Sequence, residues 1–314
     1  MNKIYIVGGA NVDISARSFK KLIENDSNPG KVTYSFGGVA HNIAINLVKI
    51  GCPVDFITAF SEDHFGKMLY ESCYYSGLKL DNCQFFADQR TSLYIAVVEP
   101  DGDMNIAIAD MDILSHLDTD KLKPLLSSLD ENDMLVLDTN LTVEQLDNLI
   151  NASKARIYVD PISTRKAVKI TDFIDRLEML KPNLLEAETL SGLKVNDSSD
   201  YMSLLNYFTD KGCKSIVISM GKDGLIGKKG DEAYHLSNTK VEIVNTTGAG
   251  DAFMAGYMYG QYHGYDFLTS LKYALANSAI ALVSNETVNS SNSEKMLKEY
   301  YEKVERESTV TLLK

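Results

Sequence analysis

Apolar and polar positions along the chain follow two alternating patterns. Short apolar runs predict strands at residues 4–7, 54–59, 134–137, 156–159, 177–180 and 215–218. Longer stretches with apolar residues at helical spacing predict helices at residues 41–50, 64–76, 143–152, 184–191, 201–211, 251–263, 267–283 and 294–305. Because strands and helices alternate, the pattern predicts an α/β fold with a mostly parallel sheet and helices on both faces.

Two hairpins are also predicted. One joins residues 91–99 to 104–109 through Asp101-Gly102, and the other spans residues 225–236 through Gly230. The first does not fit the strand–helix alternation. Together with the irregular stretch 14–34, it predicts a small β-sheet lid formed by about 14–35 and 88–112 within a single domain of residues 1–314. Residues 309–313 are compatible with either a terminal strand or a frayed tail.

Composition narrows the class of protein. The chain has 314 residues, with 31 Lys and Arg against 43 Asp and Glu, a formal net charge of −12. An acidic chain without a basic run is repelled by nucleic acids and by anionic membranes. Four cysteines without a C-x-x-C spacing, and no apolar run near the ~20 residues of a membrane span, are typical of a reduced cytoplasmic protein. We therefore expect a cytoplasmic location and neither a nucleic-acid nor a membrane partner.

Several common motifs are absent. The chain has no G-x-x-x-x-G-K-[ST], no G-x-G-x-x-G after the first strand, no H-E-x-x-H and no G-x-S-x-G. These absences remove the most frequent nucleoside triphosphatase, dinucleotide-binding, zinc-protease and serine-hydrolase interpretations.

The most informative motif is Thr247-Gly248-Ala249-Gly250-Asp251, which leads into an apolar stretch. A flexible turn at a helix N-terminus presents backbone N–H groups to an anion, and Asp251 lies on the first helical turn beside them. An anion hole beside a carboxylate suits phosphoryl transfer, because the carboxylate can deprotonate an attacking hydroxyl. The alternative is a plain turn in which Asp251 only caps the helix.

Two further motifs lie in the first 50 residues. Gly37-Gly38 precedes a helix that carries Asn42, and Asn11 and Asp13 alternate outward at the end of the first buried strand. Paired glycines let a ligand approach the backbone, and the amide and carboxylate can bind the hydroxyls of a sugar. Each motif alone is equally explained by turn and capping chemistry.

In combination, the three motifs resemble those of the ribokinase-like (phosphofructokinase-B type) carbohydrate and nucleoside kinases. Lys181-Pro182-Asn183-Leu184-Leu185-Glu186 is similar to the N-x-x-E element of that family, and residues 219–224 are similar to its S-x-G-x-x-G segment. The resemblance covers essentially the whole chain. It implies a three-layer α/β/α fold with a mostly parallel central sheet, a small β-sheet lid, and a homodimer through the lid.

The resemblance also implies roles for individual residues. Asp251 resembles the catalytic base, and Gly248, Ala249 and Gly250 resemble the anion hole. Asn183 and Glu186 resemble the pair that organises Mg²⁺ through water. The implied sugar-binding set is Asn11, Asp13, Gly37, Gly38 and Asn42, and the implied ATP-binding set is Ser219, Gly221, Gly224 and Asn277.

Position 245 departs from the family pattern. Many members have Asp before Thr-Thr-Gly, in a loop that can bind a monovalent cation such as K⁺, whereas this chain has Asn245. A neutral amide oxygen attracts a cation less than a carboxylate does, so a requirement for K⁺ is in doubt here.

Three segments, at residues 102–111, 137–140 and 159–167, resemble those of the pseudouridine kinases, although His41 stands where Arg is expected. This resemblance implies ATP-dependent phosphorylation of the 5′-hydroxyl of pseudouridine. Asn140 and Lys166 follow strands on the crevice side, and we hypothesise that they contact the base. The alternatives are that Asn140 is only a polar loop residue and that Lys166 is a solvated surface charge.

Three other functions remain open. A ribose or fructose kinase, or an inosine or adenosine kinase, would share the catalytic motifs and differ in the pocket. A degenerate nucleotide-binding regulator would belong to another class, and the intact Gly-Ala-Gly-Asp argues against it.

Overall fold

The computed structural model describes residues 2–314. Its strands are β1 (Ile4–Val7), β2 (Asn11–Ser18), β3 (Gly30–Gly37), β4 (Val54–Ile57), β5 (Ala59–Ser61), β6 (Gln84–Phe86), β7 (Leu93–Val98), β8 (Met104–Asp110), β9 (Met134–Asp138), β10 (Arg156–Asp160), β11 (Met179–Leu180), β12 (Ser215–Ser219), β13 (Leu225–Lys229), β14 (Glu232–Leu236) and β15 (Val310–Leu312). Its α-helices are α1 (Val39–Lys49), α2 (His64–Tyr75), α3 (Lys123–Ser128), α4 (Val143–Ala152), α5 (Thr164–Ala167), α6 (Leu184–Ser191), α7 (Tyr201–Asp210), α8 (Ala249–Tyr262), α9 (Phe267–Leu282) and α10 (Glu294–Glu307).

The largest sheet contains nine strands in the order β15-β14-β13-β12-β11-β10-β9-β1-β4. Strands β4, β1, β9, β10, β11 and β12 run parallel, and β13, β14 and β15 continue the sheet antiparallel. The large sheet is therefore mostly parallel, as the alternation predicted.

Helices cover both faces of the large sheet because its strands are apolar on both sides. In β1, Ile4 and Ile6 pack into one core with α1, α8, α9 and α10. Tyr5 and Val7 point to the other face and pack into a second core with α4, α6 and α7. The three-layer α/β/α architecture is thus confirmed.

Strands β3, β2, β7 and β8 form a separate sheet in that order, which we call the small sheet. The predicted hairpin at 91–109 is confirmed as the antiparallel pair β7–β8. Of the stretch 14–34 predicted to be irregular, residues 19–29 form a loop, but the residues on either side of it belong to β2 and β3, which pair over eight residues on each strand. In β2, apolar Val12, Ile14 and Ala16 alternate with polar residues, a period of two that indicates a strand.

Other boundaries differ only locally. The strand predicted at 177–180 is limited to Met179–Leu180, and the second predicted hairpin is confirmed as β13–β14. The tail forms a strand, because β15 pairs with β14. Within residues 2–314, no helix combines the length and the apolar character needed to cross a membrane.

The parallel order determines where polar side chains gather. The segments that follow β1, β9, β10, β11 and β12 leave the large sheet at the same edge, because parallel strands end on the same side. They carry, in that order, the residue groups 8–11, 138–140, 160–163, 181–183 and 219–221. The candidate site is built at this edge.

Candidate active site

Asp251 lies on the first turn of α8, directly after the glycine-rich turn. Gly248 is the N-cap of α8 and has φ of 80°, in the left-handed region that favours glycine. A Cβ at Gly248 would also collide with the carbonyl oxygen of Thr287. The turn therefore requires glycine at position 248, and it leaves the first amides of α8 without intrahelical acceptors.

The Asp251 carboxylate is linked to α1. Its Oδ2 accepts a hydrogen bond of 2.8 Å from Nδ2 of Asn42. Desolvation, together with the negative charge of Asp160, raises the pKa of Asp251 to about 7, against the lowering effects of Asn42 and Lys181. A carboxylate with a pKa near neutrality suits a general base, which must accept a proton and later release it.

His41 orients the amide of Asn42. The Nδ1 of His41 lies 3.1 Å from Oδ1 of Asn42, and an amide oxygen only accepts, so this ring nitrogen carries the proton. Burial lowers the pKa of His41 to about 4, so the ring is neutral at physiological pH. With its oxygen engaged by His41, Asn42 presents its NH₂ group to Asp251.

A buried ion pair lies beside the glycine-rich turn. The Nζ of Lys181 is 2.9 Å from Oδ2 of Asp160, and both residues are buried. Burial opposes the charged form of Lys181, but Asp160, Asp251 and Glu186 outweigh it and raise the pKa of the lysine. A Cβ on Gly250 would stand 3.5 Å from this Nζ. Lys181 is therefore a fixed positive charge next to the turn predicted as the anion hole.

Asn183 and Glu186 form a capping box at the start of α6. The backbone N–H of Glu186 donates to Oδ1 of Asn183, and the backbone N–H of Asn183 donates to Oε2 of Glu186, both over 2.9 Å. Burial raises the pKa of Glu186. One oxygen of each side chain is thus committed to the helix, and Oε1 of Glu186 keeps its lone pairs for water or a cation.

The predicted sugar-binding residues lie together where the small sheet meets α1. Nδ2 of Asn11 donates to Oδ1 of Asp13 over 2.6 Å, and a Cβ on Gly37 would collide with the carboxylate of Asp13. Gly38 is the N-cap of α1, with φ of 103°. The prediction that Asn11 and Asp13 lie at the end of the first buried strand is wrong, because both residues belong to β2.

Asn140 and Lys166 share a cavity of about 280 Å³ with Asn11 and Gly38. The Nζ of Lys166 donates to Oδ1 of Asn140 over 2.5 Å. Buried Asp138 holds this corner, because its Oδ1 accepts from the backbone N–H of Asn140 over 2.9 Å. Oδ2 of Asp138 accepts from the backbone N–H groups of Gly9 over 3.0 Å and Ala40 over 3.1 Å. The structure therefore joins the ends of β1 and β9 to the start of α1.

A second cavity, of about 400 Å³, lies on the other side of the glycine-rich turn. It is bordered by the predicted residues Ser219, Gly221, Gly224, Ala249 and Gly250, and by apolar Ile243, Phe253, Leu275 and Leu282. Asn277 does not border it. Its side chain is completely buried and donates to the carbonyl of Ala252 over 2.7 Å, whereas the next residue, Ser278, borders the cavity. A direct contact of Asn277 with adenine is therefore not supported.

Four residues of this edge were not predicted from the sequence: Asp138, Asp160, Lys181 and Ile162. Asp138 and Asp160 end apolar strands at the carboxyl edge, a position at which polar residues of parallel sheets commonly meet ligands. Lys181 directly follows β11, and the same signal applies to it. Ile162 has φ of 63° and borders the cavity of Asn140, and no sequence signal indicates such a backbone.

The chain is similar to known proteins in sequence and in fold. Residues 1–295 match the pfkB family carbohydrate kinase profile. The chain is 34% identical to the pseudouridine kinase of Escherichia coli (strain K12) over 288 residues, which are 91% of this chain and 92% of that protein. The chain belongs to the pfkB family of carbohydrate kinases.

Solved pfkB-type structures agree with the fold. A carbohydrate kinase from Agrobacterium tumefaciens is similar, with a TM-score of 0.86 and 26% identity over 99% of this chain and 100% of that chain. Arabidopsis thaliana ribokinase complexed with ribose and ATP has a TM-score of 0.82 and 20% identity over 96% of this chain and 99% of that chain. The ribokinase-like fold is thereby confirmed, and this pfkB-family chain is a kinase.

Proposed function

We propose that this kinase transfers the γ-phosphoryl group of ATP to the 5′-hydroxyl of pseudouridine. The observation that carries the proposal is the Lys166–Asn140 pair, which borders the same cavity as Asn11 and Gly38. Lysine can donate to a carbonyl oxygen of the base, and the amide oxygen of Asn140 has a second lone pair for a ring N–H. Pseudouridine offers one more ring N–H than uridine does. The 34% sequence identity to a pseudouridine kinase supports this choice of substrate.

The nucleotide occupies the second cavity in this proposal. Its apolar border suits an adenine ring, and the turn at Gly248–Gly250 faces the phosphates with the N-terminus of α8. Lys181, held by Asp160, adds a positive charge at that turn. The net charge of −12 is thus offset locally, by backbone dipoles and one buried lysine.

Mg²⁺ fits the donor set at this edge. Asp160 and Glu186 are buried carboxylates beside the buried cation Lys181. Within residues 2–314, no group of three or more His, Cys, Asp or Glu side chains is arranged to hold a metal alone. This agrees with Mg²⁺ held mainly by phosphate and water, with Glu186 and Asn183 as outer ligands. When bound, Mg²⁺ neutralises charge on the phosphates.

Asp251 takes the 5′-hydroxyl proton in the proposed mechanism. The bond from Asn42 keeps the carboxylate oriented, and the amides after Gly248 stabilise the charge on the transferred group. Asp13 and Asn11 bind the ribose hydroxyls in this proposal. Gly37 leaves room for the Asp13 carboxylate, and Gly38 leaves room for the backbone at Gly9, so both glycines keep the ribose-binding residues in place. The reacting oxygen therefore gives its proton to Asp251 as it forms a bond to the γ-phosphorus, and ADP leaves as the bond from that phosphorus to the β–γ bridging oxygen breaks.

We further propose that the small sheet is both lid and dimer interface. Asp13, Ser35 and Tyr94 lie in one row across it, on the face that carries the ribose-binding carboxylate. The opposite face is apolar and exposed: Val32 is 67% exposed, Tyr34 57%, Ile95 37%, Ile106 56% and Ile108 65%. A contiguous apolar face of this kind is typical of a protein interface. A second copy of the chain would cover it.

A panel of acceptors tests the substrate. ADP release is measured with pseudouridine, uridine, inosine, ribose and fructose, and we expect the highest kcat/KM with pseudouridine. The proposed location is the cytoplasm, where the kinase has access to ATP. A preference for ribose, fructose or inosine would replace pseudouridine by that substrate. ATP binding without turnover of any acceptor would support the regulator.

A matched pair of variants tests the base contact. Lys166→Ala should lower kcat/KM for pseudouridine about tenfold, because one charged hydrogen bond is lost, and leave that for ribose nearly unchanged. Arg165→Ala, in the exposed neighbouring position of α5, is the control. Equal losses for both acceptors would contradict a base contact.

A further inference from the structure

Four buried asparagines form a circuit of hydrogen bonds behind the candidate active site, which closes through Asp251 and Ala252 at the start of α8. Asn42, Asn46, Asn277 and Asn292 are each at most 5% exposed. They come from α1, from α9 and from the segment before α10. Burying an amide is costly unless its hydrogen bonds are satisfied, and apolar residues would fill the same space at lower cost. Four of them at one place call for a role beyond packing.

Asn292 is the centre of this circuit. Its Nδ2 donates to Oδ1 of Asn46 over 3.1 Å and to Oδ1 of Asn277 over 2.9 Å. One NH₂ group thereby uses both protons to connect two helices. No other side chain among residues 2–314 bridges these two asparagines in the same way.

Both branches from Asn292 end at the first turn of α8. On the α1 side, Nδ2 of Asn46 donates to the carbonyl of Asn42 over 2.9 Å, and Asn42 donates to Asp251. On the α9 side, Nδ2 of Asn277 donates over 2.7 Å to the carbonyl of Ala252, the residue after Asp251. The circuit therefore fixes the helix that carries the amide donor relative to the helix that carries the carboxylate.

We propose that Asn292 is a positioning residue of the phosphoryl transfer, which fixes the Asn42–Asp251 hydrogen bond without touching substrate. The proposal rests on the proposed role of Asp251. It gives the segment before α10, distant in sequence, a part in orienting the base. It also assigns Asn277 a role in place of the predicted contact with adenine.

The hydrogen bond from Asn42 stabilises the charged form of Asp251. The charged neighbours of Asp251 are Asp160, Lys181 and Asp138, which lie on other segments and are not part of the circuit. Loosening α1 against α8 therefore removes one stabilising contact and leaves the other charges in place. The pKa of Asp251 should rise as a result, and less of the base is then ionised at neutral pH.

Asn292→Ala tests the proposal. We expect kcat at pH 7 to fall about tenfold, because the base is both misplaced and less ionised, with KM for ATP nearly unchanged. The acid limb of the pH profile should move upward by about one unit, so the deficit narrows at higher pH. Asn46→Ala should give the same changes, and the double variant should add little to either, because both break one circuit.

Asn289→Ala is the matched control. Asn289 lies in the same segment and is buried, but its Nδ2 donates to the carbonyl of Ile280, outside the circuit. This variant should lose thermal stability without any movement of the pH profile. If Asn292→Ala lowers kcat equally at every pH, or if Asn289→Ala moves the profile as much, Asn292 is merely structural and the proposal is wrong.

A direct titration separates this proposal from the proposed function. The Asp251 carboxyl carbon is followed by NMR against pH in wild type and in Asn292→Ala, or in Asn292→Ser should the alanine variant not fold. An upward shift in the variant supports positioning even if the wild type phosphorylates none of the acceptors, a result that would overturn only the proposed function. An unchanged titration overturns the positioning role.

Discussion

Two regions of the molecule differ in how they place polar groups: the carboxyl edge of the large sheet buries them, and the small sheet does not. At the edge of the large sheet, Asp138, Asp160 and Lys181 are buried, and each is held by hydrogen bonds or an ion pair. The small sheet instead turns one apolar face to solvent and carries Asp13 on the other. Buried, paired charges keep their geometry without a ligand, whereas an exposed apolar face is completed only by a partner.

This contrast assigns chemistry to one region and closure to the other. Catalytic groups require fixed positions and altered pKa values, which burial supplies. In our proposal the small sheet is the lid, and a lid must be able to open and close. Variants in the large-sheet edge should therefore change the rate of the chemical step, and variants in the small sheet should change assembly and substrate binding.

The largest effect is expected from Asp251→Asn. Loss of the base should lower kcat by about 10²–10⁴-fold, with ATP binding retained. Asp266→Asn is the control, because Asp266 also begins a helix, where its carboxylate caps α9 and an amide caps equally well. Near-normal turnover of Asp251→Asn, measured by ADP release, would exclude the role of base.

The same residue predicts how activity and stability depend on pH. Because the pKa of Asp251 is raised to about 7, kcat/KM should fall as the pH drops below that value. The stability that Asp251 contributes depends on pH in the opposite direction and falls as the pH rises. A carboxyl whose folded pKa is raised binds more protons folded than unfolded, so its contribution declines as the pH rises from about 4 to 7. At pH 8, Asp251→Asn should therefore melt at a higher temperature than wild type.

A smaller effect is expected in the small sheet. Ile108 lies on the apolar face, on the edge strand β8, where it pairs with Ile95 of β7. Ile108→Lys should convert a dimer into a monomer in light scattering, because burying an unpaired charge costs several kcal/mol. Val143→Lys, at an exposed apolar position of α4 outside the small sheet, is the matched control. The KM for the acceptor should rise more than kcat falls, and a wild type that is monomeric at every concentration would contradict the interface.

The two regions also differed in how much the sequence indicated. Asp251 and its glycine turn were predicted because one contiguous segment carries both the turn and the helix start. Asp160 and Lys181 were missed because their pairing joins two strands that no local pattern connects. In the small sheet, the hairpin at 91–109 was predicted from its turn, but β2 and β3 were missed. The eleven residues 19–29 that separate them resemble a loop and hide the pairing.

Ile162 is expected to have an effect of about 1 kcal/mol on stability. Its φ of 63° is strained for a β-branched residue, and its N–H donates to Oδ1 of Asp160 over 2.9 Å. Ile162→Gly relieves the backbone strain, whereas Ile162→Ala removes most of the side chain but keeps the strain. The glycine variant should therefore be the more stable of the two in urea unfolding. The reverse order would show that packing of Ile162 outweighs the backbone strain.

The smallest effect is expected from K⁺. Nδ2 of Asn245 donates to the carbonyl of Asn285 over 3.3 Å, and its Oδ1 accepts from the N–H of Thr247 over 2.9 Å. The neutral amide thus bridges the two segments directly, and it has no charge to attract a monovalent cation.

Replacing Na⁺ by K⁺ should consequently change kcat/KM by less than about twofold. Asn245→Asp removes the amide donor and adds a negative charge between carbonyls, so this variant should gain a dependence on K⁺. Asn238→Asp, another asparagine near the nucleotide cavity, controls for the added charge alone. Strong K⁺ activation of the wild type would show that the amide of Asn245 coordinates the cation rather than replacing it.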